Sequence, residues 1–286
     1  MTRPRIEYVL FDMDGLLIDS ERAYTLATNT ILKPYGVEMT WDIKAGCMGV
    51  PELVASKHLL GSFSAEKLAP PSGFPPPLTI ESYLLQRNKL QDEMWPGVPL
   101  LPGATRLVTH LIKHNIPIAV ATGSRRSKFY IKTQTGAEGA TDEAKKTEKQ
   151  RLFEMFGERV VCADDDTDVP CADGSLRKML GKPNPDVFLV AAEKALGRRV
   201  GFEPKGTEGV TDKQVEERGR GLVFEDAVLG AVAGLKAGMN VVWIPEPELR
   251  EMEEKSGSDA DFKPHATLGS LLEFKPEEWG LPPYDE

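Results

Sequence analysis

Two aspartates stand directly after the first short apolar run of the chain. The run is Tyr8 to Phe11, and Asp12 and Asp14 follow it with one residue between them. In an extended backbone, alternate side chains point to the same side, so we expect the two carboxyl groups to lie close together. An aspartate carboxylate can attack phosphorus to form an acyl-phosphate, and a second carboxyl can protonate the leaving alkoxide and later deprotonate water. The pair predicts phosphoryl transfer, with Asp12 as nucleophile and Asp14 as general acid/base.

Attack on an anionic phosphoryl group needs positive charge and hydrogen-bond donors nearby. Thr122, Gly123 and Ser124 follow a second apolar run and offer a hydroxyl and backbone amides. Lys182, just before a helical pattern, offers a compact cation. Taken alone, a threonine at this point is more often a helix cap, and a lysine is more often exposed. Together with the acidic pair, they are candidate catalytic and phosphate-binding residues.

Further acidic residues follow two more apolar runs. The pair Glu225 and Asp226 ends one run, and the acidic stretch 164–166 follows another. Paired carboxylates at strand ends can hold Mg²⁺, a hard ion that takes oxygen ligands. For 164–166 we favour a surface loop over a ligand set. Arg125 and Arg126 could reach a substrate, but exposure at the start of a helix is at least as good an interpretation.

The elements that must position these residues are short strands alternating with helices. Nearly continuous apolar runs, typical of buried parallel strands, are Tyr8 to Phe11, Ile116 to Ala121, Val160 to Ala163, Gly221 to Phe224 and Asn240 to Ile244. Helical patterns between them are Gly103 to Asn115, Pro185 to Leu196 and Ala227 to Ala237. This alternation predicts an α/β fold with a doubly wound parallel-sheet (Rossmann-like) core, in which ligands bind at the carboxyl ends of the strands.

One long segment and three shorter ones depart from this alternation. From Ser20 to about Trp95 the sequence shows helical segments (Glu21 to Leu32, Pro51 to Leu60 and Ile80 to Met94) without a convincing strand. It predicts a helical cap domain at 20–96, inserted into a core formed by 1–19 and 97–286. The polar stretches 135–150, 164–174 and 198–219 are expected to be solvated or mobile surface loops.

Composition narrows the possible partners. The chain has 286 residues and a formal charge of −9, which argues against a broad nucleic-acid or anionic-membrane surface. No apolar stretch approaches a membrane span, and the N-terminus shows no signal-peptide pattern. The expected partner is a small-molecule phosphate ester, without nucleic acid or membrane, in the cytoplasm.

The cysteines and histidines suggest no additional metal site. Cys47, Cys162 and Cys171 cannot all pair, and their spacing matches no zinc site, so reduced thiols are expected. His110 and His114 have helical i, i+4 spacing, but with no carboxylate nearby in the sequence we favour a surface pair over a metal site.

The candidate residues resemble a known set of motifs. The segment from Asp12 to Glu21 resembles the first motif of the haloacid-dehalogenase-like phosphatases. Thr122, then Lys182 in Gly-Lys-Pro-Asn-Pro-Asp, then Glu225-Asp226 resemble the second, third and fourth motifs, in the family's order. The resemblance spans the whole chain, including a helical cap inserted after the first motif. Four motifs in order make a chance pattern improbable.

The resemblance implies roles for these residues. It assigns Asp12 as nucleophile and Asp14 as acid/base in a magnesium-dependent phosphatase. It also implies that Mg²⁺ is held by the Asp12 carboxylate, the Asp14 carbonyl and Asp226, with Glu225 nearby. Segments outside the motifs, Thr40 to Lys44 and Gly280 to Tyr284 among them, resemble eukaryotic pseudouridine-5′-phosphatase-like members. They make pseudouridine 5′-phosphate the first candidate substrate, with sugar or polyol phosphates as the alternative.

Other functions are compatible with parts of this pattern. A haloacid dehalogenase would generally lack an acid at the position of Asp14. A β-phosphoglucomutase-like phosphomutase shares every core motif and differs in what accepts the phosphoryl group. A phosphate-binding scaffold would have no need of the complete set of acid, threonine and lysine positions.

A glycine-bearing turn in the predicted cap is a candidate substrate contact. The turn is Gly46-Cys47-Met48-Gly49, and glycine allows the backbone to approach a ligand closely. We predict that this turn faces Asp12 and that Gly49 contributes to substrate binding. The alternative, at nearly even weight, is that the glycines merely separate two cap helices.

Overall fold

The first strand of the chain lies in the middle of a parallel sheet. The computed structural model of the chain describes residues 5–70, 72–136, 139–171, 173–256 and 262–285. The strands within these residues are β1 Tyr8–Phe11, β2 Ile118–Ala121, β3 Val160–Val161, β4 Asp168–Pro170, β5 Leu176–Lys178, β6 Gly221–Glu225, β7 Asn240–Trp243 and β8 Ala266–Thr267. Six of them form one sheet in the order β3-β2-β1-β6-β7-β8, and β4 and β5 form a separate two-stranded ribbon.

All neighbouring strands of the six-stranded sheet run parallel. Val9 of β1 lies opposite Ile118 on one side and Leu222 on the other. The strands are apolar because both faces are covered: every residue of β1, β2 and β6 is buried. Phe11 stacks on Phe224 with ring centroids 5.3 Å apart, which ties β1 to β6 beneath the strand ends. The predicted α/β fold with a Rossmann-like parallel sheet is confirmed.

Helices connect the strands. They are α1 Ser20–Leu32, α2 Trp41–Ala45, α3 Glu52–Gly61, α4 Ala65–Leu68, α5 Ile80–Met94, α6 Ala104–Lys113, α7 Arg126–Thr133, α8 Glu148–Glu154, α9 Asp186–Val190, α10 Asp212–Gly219, α11 Val228–Lys236 and α12 Pro247–Ser256. Helix α9 continues as a π-helix over Ala191–Ala195, and five short 3₁₀ segments are Lys33–Tyr35, Trp95–Gly97, Glu143–Lys145, Leu271–Glu273 and Pro276–Trp279. No helix of the described residues is long and apolar enough to cross a membrane.

The described residues divide into two compact units, of which Asp19–Val98 is one and the remainder of the chain is the other. The Asp19–Val98 unit contains helices α1 to α5 and, among its described residues, no strand. Its core is formed by the apolar faces of these helices, with Ile31, Leu32, Leu59 and Tyr83 buried. The hydroxyl groups of Thr28 and Tyr83 form a hydrogen bond of 3.0 Å between α1 and α5.

The stretches 135–150 and 198–219, predicted as loops, contain regular structure. Helix α8 begins within the first stretch and α10 within the second. In each case a threonine hydroxyl caps the helix, accepting a hydrogen bond from the backbone N–H three residues later: Thr147 from Gln150 and Thr211 from Gln214. Both stretches were predicted as loops from their charged composition, although each contains a Thr-x-x-Gln capping pattern, which is a helix-start signal.

The stretch 164–174, also predicted as a loop, contributes a strand. Its residues 168–170 form β4, paired antiparallel with β5 so that Asp168 faces Lys178. The turn between the strands is held by Asp173, whose carboxylate accepts hydrogen bonds from the backbone N–H of Ser175 at 2.9 Å and its hydroxyl at 2.6 Å. Lys178 Nζ donates to Asp168 at 2.9 Å and to Asp166 at 2.5 Å. Acidic residues that suggested a solvated loop therefore pair with the opposite strand of the ribbon.

Candidate active site

Three neighbouring strands bring the candidate residues to one edge of the sheet. Asp12 follows β1, Thr122 follows β2, and Glu225 is the last residue of β6. Because these strands are adjacent and parallel, their carboxyl ends lie side by side. The backbone continues the pairing past the strand: the N–H of Asp12 donates to the carbonyl of Phe224 at 3.0 Å. Asp12 and Glu225 are both buried.

Lys182 links the two buried carboxylates. Its Nζ donates to Asp12 Oδ1 at 2.5 Å and also to Glu225 Oε1. The side chains of the three residues are 10%, 5% and 1% exposed in the order Lys182, Asp12, Glu225. Charges shielded from water to this degree interact strongly, and each would be costly to bury without the others.

The balance of charge around Asp12 is negative. The pKa of the Asp12 carboxyl is raised to about 7: burial has the largest effect and raises it, Lys182 lowers it, and the carboxylates of Glu225 and Asp14 raise it. Burial alone would lower the pKa of Lys182, but Asp12 and Glu225 together hold it above its ordinary value. The ammonium group of Lys182 therefore contacts two carboxylates, and an additional cation would stabilise the ionised form of Asp12.

The donor set at this position fits a hard divalent cation. Asp12, Glu225 and Asp226 are buried, and each offers a carboxylate oxygen within 4.8 Å of those of the other two. Oxygen donors of this kind suit Mg²⁺. Glu225 already uses its other oxygen, since Oε2 accepts hydrogen bonds from the N–H groups of Asp226 and Ala227, both at 3.0 Å. These bonds fix the turn that carries Asp226.

Asp14 lies in a second polar group at the same edge. Lys132 Nζ donates to Asp14 Oδ1 at 2.6 Å, and the Ser124 hydroxyl donates to Asp14 Oδ2 at 2.6 Å. The backbone N–H of Ser124 donates to the Thr122 hydroxyl oxygen at 3.0 Å. The structure thus brings Ser124, predicted as a phosphate-binding residue, into contact with the predicted acid/base. Gly123 is exposed beside them.

Lys132 and Arg177 are polar residues of this region that the sequence reasoning missed. Lys132 belongs to α7, where it shares a buried face with Phe129 at i, i+3 spacing. A lysine on the apolar face of a helix was the available signal. Arg177 of β5 forms a two-pronged ion pair with the buried Asp186 carboxylate, its Nη2 donating to Oδ1 at 2.9 Å. The backbone N–H of Leu180 donates to the same carboxylate at 2.7 Å, so this pair anchors the loop that carries Lys182.

Arg126 pairs with an acidic side chain, and Gly49 belongs to the Asp19–Val98 unit. Asp165 forms an ion pair with Arg126 at 2.6 Å and accepts a hydrogen bond from the N–H of Cys162. Arg126 is thus occupied by an acidic residue of the loop after β3. Gly49 lies in the Asp19–Val98 unit, in the turn between α2 and α3, with φ of 71°, a conformation that favours glycine.

The interpretation of His110 and His114 as a surface pair is wrong for His110. His110 is buried, and its Nε2 lies 2.9 Å from the carbonyl oxygen of Pro282. The C-terminal segment also brings a carboxylate oxygen of Asp285 to within 4.8 Å of a ring nitrogen of each histidine, which the sequence spacing could not show. Asp285 forms an ion pair with Lys113 at 2.7 Å, so the ammonium group of Lys113 already neutralises this carboxylate.

Comparison with known proteins places the whole chain beside one group of enzymes. A family model described as a haloacid dehalogenase-like hydrolase matches residues 6–238. The chain is 34% identical to (DL)-glycerol-3-phosphatase 2 of Arabidopsis thaliana, covering 99% of this chain and 95% of that protein. It is 33% identical to a probable pseudouridine-5′-phosphatase of Drosophila melanogaster, covering 99% and 97%.

Solved structures share the fold. A family IA, variant 3 hydrolase of this type from Entamoeba histolytica superposes with a TM-score of 0.61 at 22% identity, covering 96% of this chain and 98% of that one. A related hydrolase from Deinococcus radiodurans, with bound phosphate and sodium, superposes with a TM-score of 0.60 at 21% identity, covering 98% and 99%.

Proposed function

This chain belongs to the haloacid dehalogenase-like hydrolases and is a phosphatase, and we propose that it hydrolyses a small phosphomonoester through an aspartyl-phosphate at Asp12, with Mg²⁺ as cofactor. The observation that carries the proposal is the contact of Lys182 with both Asp12 and Glu225 at the carboxyl ends of β1 and β6. A buried carboxylate held by a lysine beside a second carboxyl is the arrangement that a covalent two-step phosphoryl transfer needs.

In the first step, an oxygen of the Asp12 carboxylate attacks phosphorus and the ester P–O bond breaks. Asp14 gives its proton to the departing alkoxide, which leaves as an alcohol. In the second step, Asp14 takes a proton from water as the water oxygen attacks phosphorus. The bond between phosphorus and Asp12 breaks, and inorganic phosphate leaves. Lys182 and the donors around Thr122 neutralise and orient the phosphoryl oxygens.

Asp12, Asp226 and Glu225 are the side chains that would hold or orient Mg²⁺, together with the carbonyl of Asp14. The ion, when bound, supplies positive charge that reduces repulsion between the phosphoryl group and the attacking carboxylate. The close approach of three buried carboxylates supports this assignment, because a divalent cation would offset their mutual repulsion.

Two relatives direct the choice of substrate. One is named for glycerol 3-phosphate and the other for pseudouridine 5′-phosphate. The sequence identity of the chain to the two relatives is nearly the same, 34% and 33%. Both esters would release a primary alkoxide from a polyhydroxy group. We propose pseudouridine 5′-phosphate as the first substrate to test and polyol or sugar phosphates as the second.

The test is phosphate release by the purified full chain from a panel of phosphorylated nucleosides, sugars and polyols. We expect turnover with Mg²⁺, loss of activity in a chelator, recovery when Mg²⁺ is returned, and inhibition by Ca²⁺, which prefers more ligands at longer distances. Full activity in the chelator would contradict the metal assignment. An isomerised sugar phosphate, formed without release of inorganic phosphate, would instead identify a phosphomutase.

A further inference from the structure

We propose that Lys132 is a positioning residue that, together with Ser124, holds the carboxyl group of Asp14 in the orientation needed for proton transfer. This inference rests on the proposed function, because it concerns the acid/base of the same site. It adds a residue from α7 to a site otherwise built from the strand ends and the Lys182 loop.

The geometry is a closed triangle of hydrogen bonds. Lys132 Nζ lies 2.6 Å from Asp14 Oδ1, the Ser124 hydroxyl oxygen lies 2.6 Å from Asp14 Oδ2, and Nζ lies 3.0 Å from the Ser124 hydroxyl oxygen. Each oxygen of the carboxyl group therefore has its own donor, and the two donors contact each other. Two of these contacts hold the carboxyl group of Asp14, one at each oxygen, and the third holds the two donors together.

The burial of Lys132 indicates that packing is not its only role. The side chain of Lys132 is 2% exposed and that of Asp14 is 20% exposed. A buried ammonium group is costly unless it is paired, so an apolar residue would serve better at this position if packing were its only role. Packing of α7 is supplied by Phe129, whose ring contacts that of Phe153 of α8 edge-to-face at 5.8 Å.

The two lysines at this edge of the sheet contact different acids. Lys182 contacts the predicted nucleophile Asp12, and Lys132 contacts the predicted acid/base Asp14. They come from different elements, the loop before α9 and the last turn of α7. Since proton transfer in both steps depends on the placement of one carboxyl group, a displacement of Asp14 should slow the reaction even though no reacting group is removed.

The distinguishing experiment compares two leaving groups. p-Nitrophenolate leaves without being protonated, whereas an alkoxide needs a proton from Asp14. We expect Lys132→Met to lower kcat/KM by roughly 10- to 100-fold for the alkyl ester that the wild type hydrolyses best. For p-nitrophenyl phosphate we expect a loss below about threefold. Equal losses for the two esters, or no loss for either, would overturn the proposal.

A second comparison removes the group through which Lys132 is proposed to act. In an Asp14→Asn background, adding Lys132→Met should cause little further loss with either ester, because the carboxyl group to be positioned is already absent. A further loss as large as that caused by Lys132→Met alone would contradict the proposal. The double variant leaves no member of the ion pair without its partner, so it can be used if Lys132→Met alone does not fold. It is then compared with Asp14→Asn alone, and a further loss of about tenfold or more with the alkyl ester would overturn the proposal.

A matched control is available on α6. Lys113 forms an ion pair with Asp285 at 2.7 Å, close to the 2.6 Å between Lys132 and Asp14, but the side chain of Lys113 is 64% exposed. Lys113→Met should leave both esters unaffected. Failure of the proposed function would appear differently, as a wild-type protein that releases phosphate from none of the esters in the presence of Mg²⁺.

Discussion

At the scale of single residues, the surroundings of Asp12 determine what its substitution should do. The carboxyl group is buried, its pKa is raised by that burial, and its Oδ1 accepts a hydrogen bond from Lys182. An asparagine has the same shape and can accept the same hydrogen bond, but its amide cannot form an acyl-phosphate. The chemical and the structural roles of this position can therefore be separated.

We expect Asp12→Asn to lower phosphatase activity by at least about 10⁴-fold, the scale associated with loss of a nucleophile. Its thermal unfolding midpoint should not fall, because a neutral amide is less costly to bury than a carboxylate. The measurements are phosphate release and thermal unfolding of the purified variant. Appreciable turnover by a verified, uncontaminated sample would refute covalent catalysis at Asp12.

The residue scale is also where sequence motifs were most informative and where their limit lies. Asp12 and Glu225 could be identified because each follows an apolar strand, and strand ends meet at one edge of a parallel sheet. Lys132 could not be identified in this way. Its contact with Asp14 joins a helix to a strand end across more than a hundred residues of sequence. The local pattern shows a lysine on an apolar helix face, but it does not identify the partner of that lysine.

At the scale of elements, the junction between β6 and α11 places a glycine against the site. A Cβ atom added to Gly230 would lie 1.8 Å from Glu225 Oε1 and 2.1 Å from its carboxyl carbon. Carbon and oxygen atoms cannot approach so closely, so a side chain at this position must displace the Glu225 carboxylate. The displaced group is the one that contacts Lys182 and fixes the turn before α11.

We therefore expect Gly230→Ala to reduce activity by roughly 10- to 100-fold, as is typical when a group that positions catalytic residues is moved. Gly219→Ala is the matched control, since a Cβ atom there would meet no atom within 4 Å. Initial rates at saturating Mg²⁺, together with the Mg²⁺ concentration for half-maximal activity, would measure the effect. Wild-type rates and metal dependence in Gly230→Ala would show that Glu225 tolerates displacement.

The β4–β5 ribbon provides a second prediction at this scale. Arg177 of β5 neutralises Asp186, whose carboxylate is 1% exposed and also accepts the Leu180 N–H. Arg177→Met would leave a buried carboxylate without its cation, which typically costs about 3 kcal/mol. We expect a lower midpoint of urea unfolding and lower activity, because the loop from Leu180 to Asp186 carries Lys182.

Lys178→Met is the control for the ribbon. Lys178 pairs with Asp166 and Asp168 on the solvent side of the same strand, and exposed pairs contribute little. Its urea midpoint should remain close to that of the wild type. If the two variants unfolded alike, the Arg177–Asp186 pair would not be what secures this loop.

Elements were predicted well where periodicity was strong and poorly where charge was dense. The apolar run from Tyr8 to Phe11 could be read directly as β1, because every residue in it is buried. Helix α10 was missed because only Arg218 is buried among its residues, leaving no apolar stripe to detect. The β4–β5 ribbon was missed because its strands are short and its acidic residues find their partners only after the chain has turned back.

At the scale of the whole molecule, the Asp19–Val98 unit is the proposed cap. The chain segments just before and just after this unit are hydrogen-bonded to each other. The N–H of Leu101 donates to the carbonyl of Leu17 at 2.9 Å, and Ile18 forms a β-bridge with Leu100. Every phosphomonoester presents the same phosphoryl group, so residues that recognise that group cannot distinguish leaving groups. We propose that residues of the inserted unit make this distinction.

The turn from Gly46 to Gly49 is the part of this unit to test. A Cβ atom at Gly46 would meet the His58 ring at 2.3 Å, and Gly49 has φ of 71°, so substituting either glycine would strain the unit itself. Met48→Trp avoids both problems. We expect it to change the order of kcat/KM values across the ester panel while Mg²⁺ dependence persists.

Leu85→Trp on α5 provides a comparison, because Leu85 is 74% exposed and lies outside that turn. It should leave the order of substrates unchanged. If Met48→Trp slowed every ester by the same factor, the turn would not recognise the leaving group, and the glycines would serve only to separate α2 from α3.

The central position of β1 has a consequence for how the chain is made. During synthesis, β1 leaves the ribosome first, but its neighbours in the sheet contain Ile118 and Leu222. The Asp19–Val98 unit, which is compact, is translated in between. One edge of β1 therefore stays unpaired until β6 has been translated, and an unpaired apolar strand is a template for association with other chains. For this protein, the interval between translation of Phe11 and translation of Glu225 is the period in which a nascent chain most needs protection from aggregation.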